Sequence, residues 1–259
     1  MLDFAAAGWA FGVVLAMAFS AWLVSLIRND VSSVDSLWSL MFLLLVGVYQ
    51  YLADTSGPRQ WLVLLLVAAW ALRLSIFITV RNHGEPEDHR YQTIRKNNEP
   101  HFRFKSLYIV FGFQAVLAGF IAAPLLAAMS ASAPLGWLDL LGVALWLIGM
   151  FFEVVGDFQL ASFKANPANR GKVLDAGLWR YTRHPNYFGE FTLWWGYFLF
   201  AVAAGGWWTV LSPALMSLLL LKVSGVALLE RDISNRRPDY VEYIRRTNSF
   251  LPGPRRGST

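Results

Sequence analysis

The chain has 259 residues, of which 56% are hydrophobic and only 15% charged, with 12 Trp, a net charge of +5 and no cysteine. So apolar a composition excludes an ordinary soluble domain, and the missing cysteine excludes a disulfide framework, a thiolate metal site and a cysteine nucleophile. The basic residues lie between apolar runs, where they act as topology signals, so the positive charge does not point to nucleic acid.

Apolar runs close to the ~20 residues that a bilayer core requires occur at 5–27, 33–53, 60–79, 106–129, 135–157, 187–204 and 207–229. They predict an all-α, polytopic membrane protein with seven transmembrane helices. The N-terminus has neither a basic leader nor a small-residue cleavage site ahead of Arg28-Asn29-Asp30, so the first run reads as a retained helix. The last two runs are parted by Gly205-Gly206 followed by Trp207-Trp208, a tight turn with interfacial aromatics. Lys and Arg crowd the odd-numbered loops and the tail, whereas the even-numbered loops carry only Arg59. That bias places the C-terminus in the cytoplasm and the N-terminus outside. With no internal repeat or linker, residues 1–259 read as one membrane domain.

Polar residues inside or beside these runs need an explanation. Asp35 stands in the first turn of the second helix, with Ser32 or Ser33 as its expected cap. Arg73 is deep in the third helix and calls for a wet cavity or a carboxylate, with Asp35 the candidate. The stretch Arg81-Asn82-His83-Gly84-Glu85-Pro86 reads as a turn at the membrane surface, and residues 88–105 as an interfacial helix. His83, His89 and His101 match no zinc spacing, so no metal site is expected. Glu153 and Asp157 lie one turn apart on one face of the fifth helix. Two such carboxylates imply a cation, a protonated partner or a hydrogen-bonding ligand between them. Lys164 and Lys172 fall in the loop that follows.

The densest cluster is Trp179-Arg180-Tyr181-Thr182-Arg183-His184-Pro185-Asn186-Tyr187-Phe188-Gly189-Glu190, set directly against an apolar run. A positive-inside flank accounts for Arg180 and Arg183 but not for Asn186 and Glu190, which share one helical face on the membrane side. With the tail from Asp239 to Arg246, three basic, aromatic-bearing segments share one side of the membrane. They suit a ligand that is anionic and partly flat, such as a nucleotide cofactor. No G-x-G-x-x-G, P-loop, G-x-S-x-G or H-E-x-x-H motif is present, so helix ends and loops must hold any nucleotide.

Residues 183–190, their Gly177-to-Tyr181 approach, Glu230-Arg231 and the Tyr240-to-Pro252 tail resemble the C-terminal part of the steroid 5-alpha-reductase family, in its bacterial branch. The resemblance is strongest over about 150–252, and Asn82-x-Gly84-x-Pro86 is similar to the family's third loop. Related Arg-His-Pro segments occur in sterol reductases and in isoprenylcysteine and phospholipid methyltransferases, which leaves an S-adenosylmethionine-dependent methyltransferase as the alternative. The resemblance implies an NADPH-dependent reductase of a bacterial inner membrane, facing the cytoplasm with its cofactor, and acting on the carbon–carbon double bond of a hydrophobic enone such as a 3-oxo-4-ene steroid. Residues 1–129 would serve the substrate and 130–259 the cofactor. Carried over, Asn82, His83, Asp157, Lys164, Lys172, Tyr181, Arg183, His184, Asn186, Glu190, Arg231 and Tyr240 would contact NADPH, with Asp35 and Arg73 at the reacting carbonyl. In the family a glutamate on the second helix and a tyrosine on the third polarise that carbonyl. Asp35 matches the first, but the third helix reads Trp70-Ala71-Leu72-Arg73, so the proton donor must be sought elsewhere on the N-terminal helices.

Overall fold

The computed structural model describes residues 2–53, 57–223, 225–226, 230 and 239–256. All regular structure among them is helical: α1 Phe4–Arg28, α2 Ser33–Leu52, α3 Pro58–Asn82, α4 His89–Asn98, α5 Phe102–Ile121, α6 Ala123–Met129, α7 Trp137–Ala165, α8 Pro185–Ala203, α9 Trp207–Val223 and α10 Tyr240–Arg246. Five of them, α1, α2, α3, α5 and α7, are long and apolar enough to cross a membrane, and α9 is a shorter apolar helix. Large apolar side chains such as Trp9, Leu65, Phe113, Leu140 and Phe158 point outward, which is tolerable only where lipid is the solvent. The protein is therefore a polytopic membrane protein.

The chain divides into two compact units, residues 1–136 with 200–209, and residues 137–199 with 210–259. In the first, α1, α2, α3 and α5 pack around Phe42 and Trp70, whose rings meet edge-on at 5.6 Å. Ser39 Oγ donates to the Ala71 carbonyl at 2.8 Å, stitching α2 to α3, and the Trp22 indole donates to the Arg103 carbonyl at 2.9 Å, stitching α1 to α5. Gly119 lets α5 approach the Phe11 ring, where a Cβ would lie 2.8 Å from a ring carbon.

Four features depart from expectation. The run 106–129 is two helices, because Pro124 at the start of α6 cannot continue the α5 hydrogen-bond ladder. Residues 88–105 do not form one interfacial helix: α4 stops ahead of Pro100, and Phe102 already belongs to α5. Ser32 does not cap α2, because its hydroxyl accepts from the Asp88 backbone N–H at 2.8 Å. Finally, α7 runs eight residues past 157 to Asn166-Pro167, so Lys164 sits on its last turn rather than in a loop. The Gly205-Gly206 turn forms as expected, with Gly205 at φ +83° and the Gly206 N–H on the Ala201 carbonyl at 2.7 Å.

In the second unit α7 and α8 meet backbone to backbone. Gly142, Gly149 and Gly156 recur every seven residues on α7, as do Gly189 and Gly196 on α8. A Cβ on Gly189 would lie 2.5 Å from the Gly149 carbonyl oxygen, and one on Gly149 2.6 Å from the Gly189 oxygen. Such small-residue seams substitute close packing for the hydrophobic effect that lipid cannot supply.

Candidate functional site

The glycine seam decides what the polar face of α8 can touch. Gly156 receives Pro185 and Asn186 against α7, and the Asn186 amide then donates to Asp157 Oδ1 at 3.1 Å. One turn on, Glu190 Oε1 accepts from the Trp194 indole at 2.9 Å. Glu153, Asp157 and Glu190 are all buried, so this polar line is bedded between two helices rather than displayed at their mouth. The partner that the Glu153/Asp157 pair called for is thus, for Asp157, the Asn186 carboxamide. Deeper still, Trp146 donates to the Tyr197 hydroxyl at 3.0 Å.

Arg183 and His184 are engaged within the protein. The guanidinium grips Glu230 through Nε–Oε1 at 2.7 Å and Nη2–Oε2 at 2.9 Å. Its Nη1 donates to the Thr247 and Ile244 carbonyls at 2.6 and 3.2 Å, where α10 ends. His184 Nε2 lies 2.9 Å from the same Glu230 oxygen, and its ring stacks on Tyr187 at 5.7 Å. Burial pushes the Glu230 carboxyl up, but the hydrogen bonds from His184 and Arg183 and the Arg183 charge outweigh it and hold the group down at about 2. Around this clamp the tail is laced down: the Arg183 N–H donates to the Asn248 carbonyl at 2.9 Å, Thr182 Oγ1 to Phe250 at 2.8 Å, and the Gly253 N–H to Tyr181 at 3.1 Å. The Arg-His-Pro segment is therefore the socket for the C-terminal strand of chain.

Beside the socket a cleft of about 340 Å³ is lined by Lys172, Asp175, Asp239, Glu242, Tyr243, Arg246 and Arg255. The Tyr243 hydroxyl donates to the Trp179 carbonyl, and the Trp179 indole to the Gly156 carbonyl at 3.1 Å, next to Asp157. Tyr240 is buried against Tyr243, whereas Lys164 and Tyr181 are exposed. Arg231 lies outside the described residues.

The first unit carries a separate polar cluster. Tyr91, from α4, donates its phenol to Asp35 Oδ1 at 2.5 Å, and Arg90 Nη2 meets Asp35 Oδ2 at 2.5 Å while its Nε meets Asp88 Oδ1 at 3.0 Å. Burial, then the Asp35 charge and hydrogen bond, push the Tyr91 phenol well above its ordinary range, so it keeps its proton. Glu87 binds Arg95 through two hydrogen bonds at 2.7 and 2.9 Å, and Arg95 also lies 4.5 Å from the Phe102 ring centroid. Asp35 thus takes Arg90 and Tyr91 as partners, neither of which the sequence reading named. Arg73 lies over Phe77 at 5.4 Å. Asn82 and His83 end α3 at the expected turn, with Gly84 at φ +78° and the Glu85 N–H on the Asn82 carbonyl at 3.1 Å. Among the described residues no group of three or more His, Asp or Glu is placed to hold a metal.

Comparison with known proteins adds the following. Residues 21–247 match the family described as "Protein of unknown function (DUF1295)". Over 68 residues, 26% of either chain, the sequence is 38% identical to 3-oxo-5-alpha-steroid 4-dehydrogenase 1 of Bos taurus, so it spans about a quarter of that relative's length. Over 264 residues, 89% of this chain and 75% of the other, it is 25% identical to an uncharacterized protein of Schizosaccharomyces pombe. A stretch of 53 residues, 20% of this chain and 18% of the other, is 40% identical to a probable O-methyltransferase of Ustilaginoidea virens. No solved structure matches.

Proposed function

Because the chain belongs to the DUF1295 family, which is steroid-reductase-like, we propose that it is a membrane-embedded, NADPH-dependent reductase of the carbon–carbon double bond of an enone lipid, with a 3-oxo-4-ene steroid as the reference substrate. The observation that carries the reading is the family match over residues 21–247, joined by the 68-residue likeness to a 3-oxo-5-alpha-steroid 4-dehydrogenase. In this reading seven helices span the bilayer, α8 and α9 being the sixth and seventh, with the N-terminus outside and the cofactor site facing the cytoplasm of a bacterial inner membrane.

The donor set suits the cofactor. Lys164 and Lys172 offer charge to phosphates, the Asn186 carboxamide can both donate and accept, and Tyr181 and Tyr240 complete the contacts proposed in the second unit. Arg183 acts at one remove, by seating the tail, and His184 by holding Glu230. When bound, NADPH supplies a hydride to the β carbon of the enone, and negative charge develops on the ketone oxygen. Without substrate the Tyr91 phenol gives its one proton to Asp35, which Arg90 holds; in this reading the substrate carbonyl takes that hydrogen bond over, and Arg73 adds a positive charge within α3.

The match to a probable O-methyltransferase favours a second reading, an S-adenosylmethionine-dependent membrane methyltransferase of the isoprenylcysteine or phospholipid type. Thermal stabilisation of the purified protein by NADPH, NADH and S-adenosylmethionine separates the two. NADPH should raise the melting temperature; a response to S-adenosylmethionine alone would sink the reductase.

A further inference from the structure

We propose that the cleft between the loop at Lys172, α10 and the tail receives the phosphorylated adenosine end of the cofactor, with Arg246 and Arg255 binding its 2′-phosphate; this rests on the NADPH reading above. Three cations reach the cleft from three separate segments, Lys172 after α7, Arg246 from the last turn of α10 and Arg255 from the tail. Two of them are tethered by exposed carboxylates, Arg246 Nε to Glu242 at 2.5 Å and Arg255 Nη2 to Asp175 at 2.6 Å. Exposed pairs of this kind contribute little, so a phosphate with several acceptor oxygens can exchange with them. Arg255 also keeps a shielded Nε–H that makes no hydrogen bond among the described residues.

Besides the tethering Asp175 and Glu242, the same cleft holds Asp239, an acceptor only, which repels a bare anion but suits the free 3′-hydroxyl of a 2′-phosphorylated ribose. A ligand joining hydroxyls to a phosphate therefore fits better than inorganic phosphate. The volume, about 340 Å³, stands at the small end of the roughly 300–1,000 Å³ of ligand pockets, which leaves room for a nucleoside phosphate and not for a whole dinucleotide. Tyr243, in the lining of the cleft, is linked by hydrogen bonds through Trp179 to Gly156, the neighbour of Asp157. Arg183 fixes Arg246 indirectly, since it caps the carbonyls of Ile244 and Thr247 on either side of it.

The test is titration calorimetry on the purified full chain with NADPH, NADH, adenosine 2′,5′-bisphosphate and inorganic phosphate. Wild type should bind NADPH, release it to adenosine 2′,5′-bisphosphate and ignore inorganic phosphate. Arg246→Gln and Arg255→Gln should each weaken NADPH about tenfold or more and leave NADH within about twofold. Asp175→Asn removes a competitor for Arg255, so NADPH should bind a few-fold more tightly, which a merely structural role would not produce. Unchanged or weaker NADPH binding by Asp175→Asn, or arginine variants that bind NADPH like wild type, would overturn the cleft assignment while leaving the reductase standing. A wild type that binds neither dinucleotide removes both. Melting temperatures without ligand identify any arginine variant that has failed to fold, and Asp175→Asn then decides.

Discussion

The two units hold their polar residues by different means. In the second, Asp157, Asn186 and Glu190 are fixed by backbone contact along the glycine seam, and Arg183 is fixed by a carboxylate and two main-chain carbonyls. In the first, Asp35 is held by side chains alone, Arg90 and Tyr91, at the surface end of α2. A site set by backbone geometry is rigid and fails all at once, whereas one set by side-chain pairs is adjustable and fails in parts.

Substitutions can break that contrast, and the largest effect belongs to the seam. Gly189→Leu forces a side chain into the Gly149 backbone, where even a Cβ stands at 2.5 Å, so no relaxation short of parting the helices accommodates it. The expected outcome is loss of folded protein, read by size-exclusion chromatography in detergent. Next comes Arg183→Gln, which leaves Glu230 with His184 alone and strands the carbonyls at the end of α10, and should cost about 3 kcal/mol, read as a lower melting temperature. Proteolysis of the tail should accelerate in parallel.

The pH response is smaller and has a defined sign. The Glu230 carboxyl is held at about 2, below its ordinary 4.5, so its contribution is full above pH 4.5 and is lost as pH falls from there toward 2. Wild type should lose about 2 kcal/mol over that window, after discounting for solvent screening, and Glu230→Gln should show a flatter profile. Equal slopes for the two proteins would remove Glu230 from the account. Smallest in stability is Tyr91→Phe, which deletes one hydrogen bond worth about 1 kcal/mol. Its effect on turnover should nonetheless be about a hundredfold or more, with NADPH binding unchanged. A large stability loss with normal turnover would make Tyr91 structural and bring the two units closer in kind.

What the sequence made legible follows the same division. The membrane helices were visible because apolar runs of bilayer length have few other uses, and the faces of Asn186 and Glu190 because helical spacing is local. The turn at Gly84 was visible in its residues. The partners were not. Glu230 lies 47 residues from Arg183, and Tyr91 lies 56 from Asp35, on a helix whose docking no periodicity encodes. The glycine seam did leave a signal, the seven-residue spacing of Gly142, Gly149 and Gly156, which marks one helix stripe and hence a close helix neighbour. The extension of α7 past Asp157 was masked because Glu153 and Asp157 closed the apolar run, although Phe158 to Ala165 is again mostly apolar and favours helix.

The central claim, hydride transfer from a nicotinamide to an enone, is tested most directly by isotope. Purified protein is incubated with a 3-oxo-4-ene steroid and NADPH carrying deuterium at the transferring position of C4, and the product is weighed by mass spectrometry. A saturated ketone containing one deuterium at the β carbon is the predicted result. An unreduced steroid, together with methyl transfer to a lipid acceptor when S-adenosylmethionine is supplied, would contradict it.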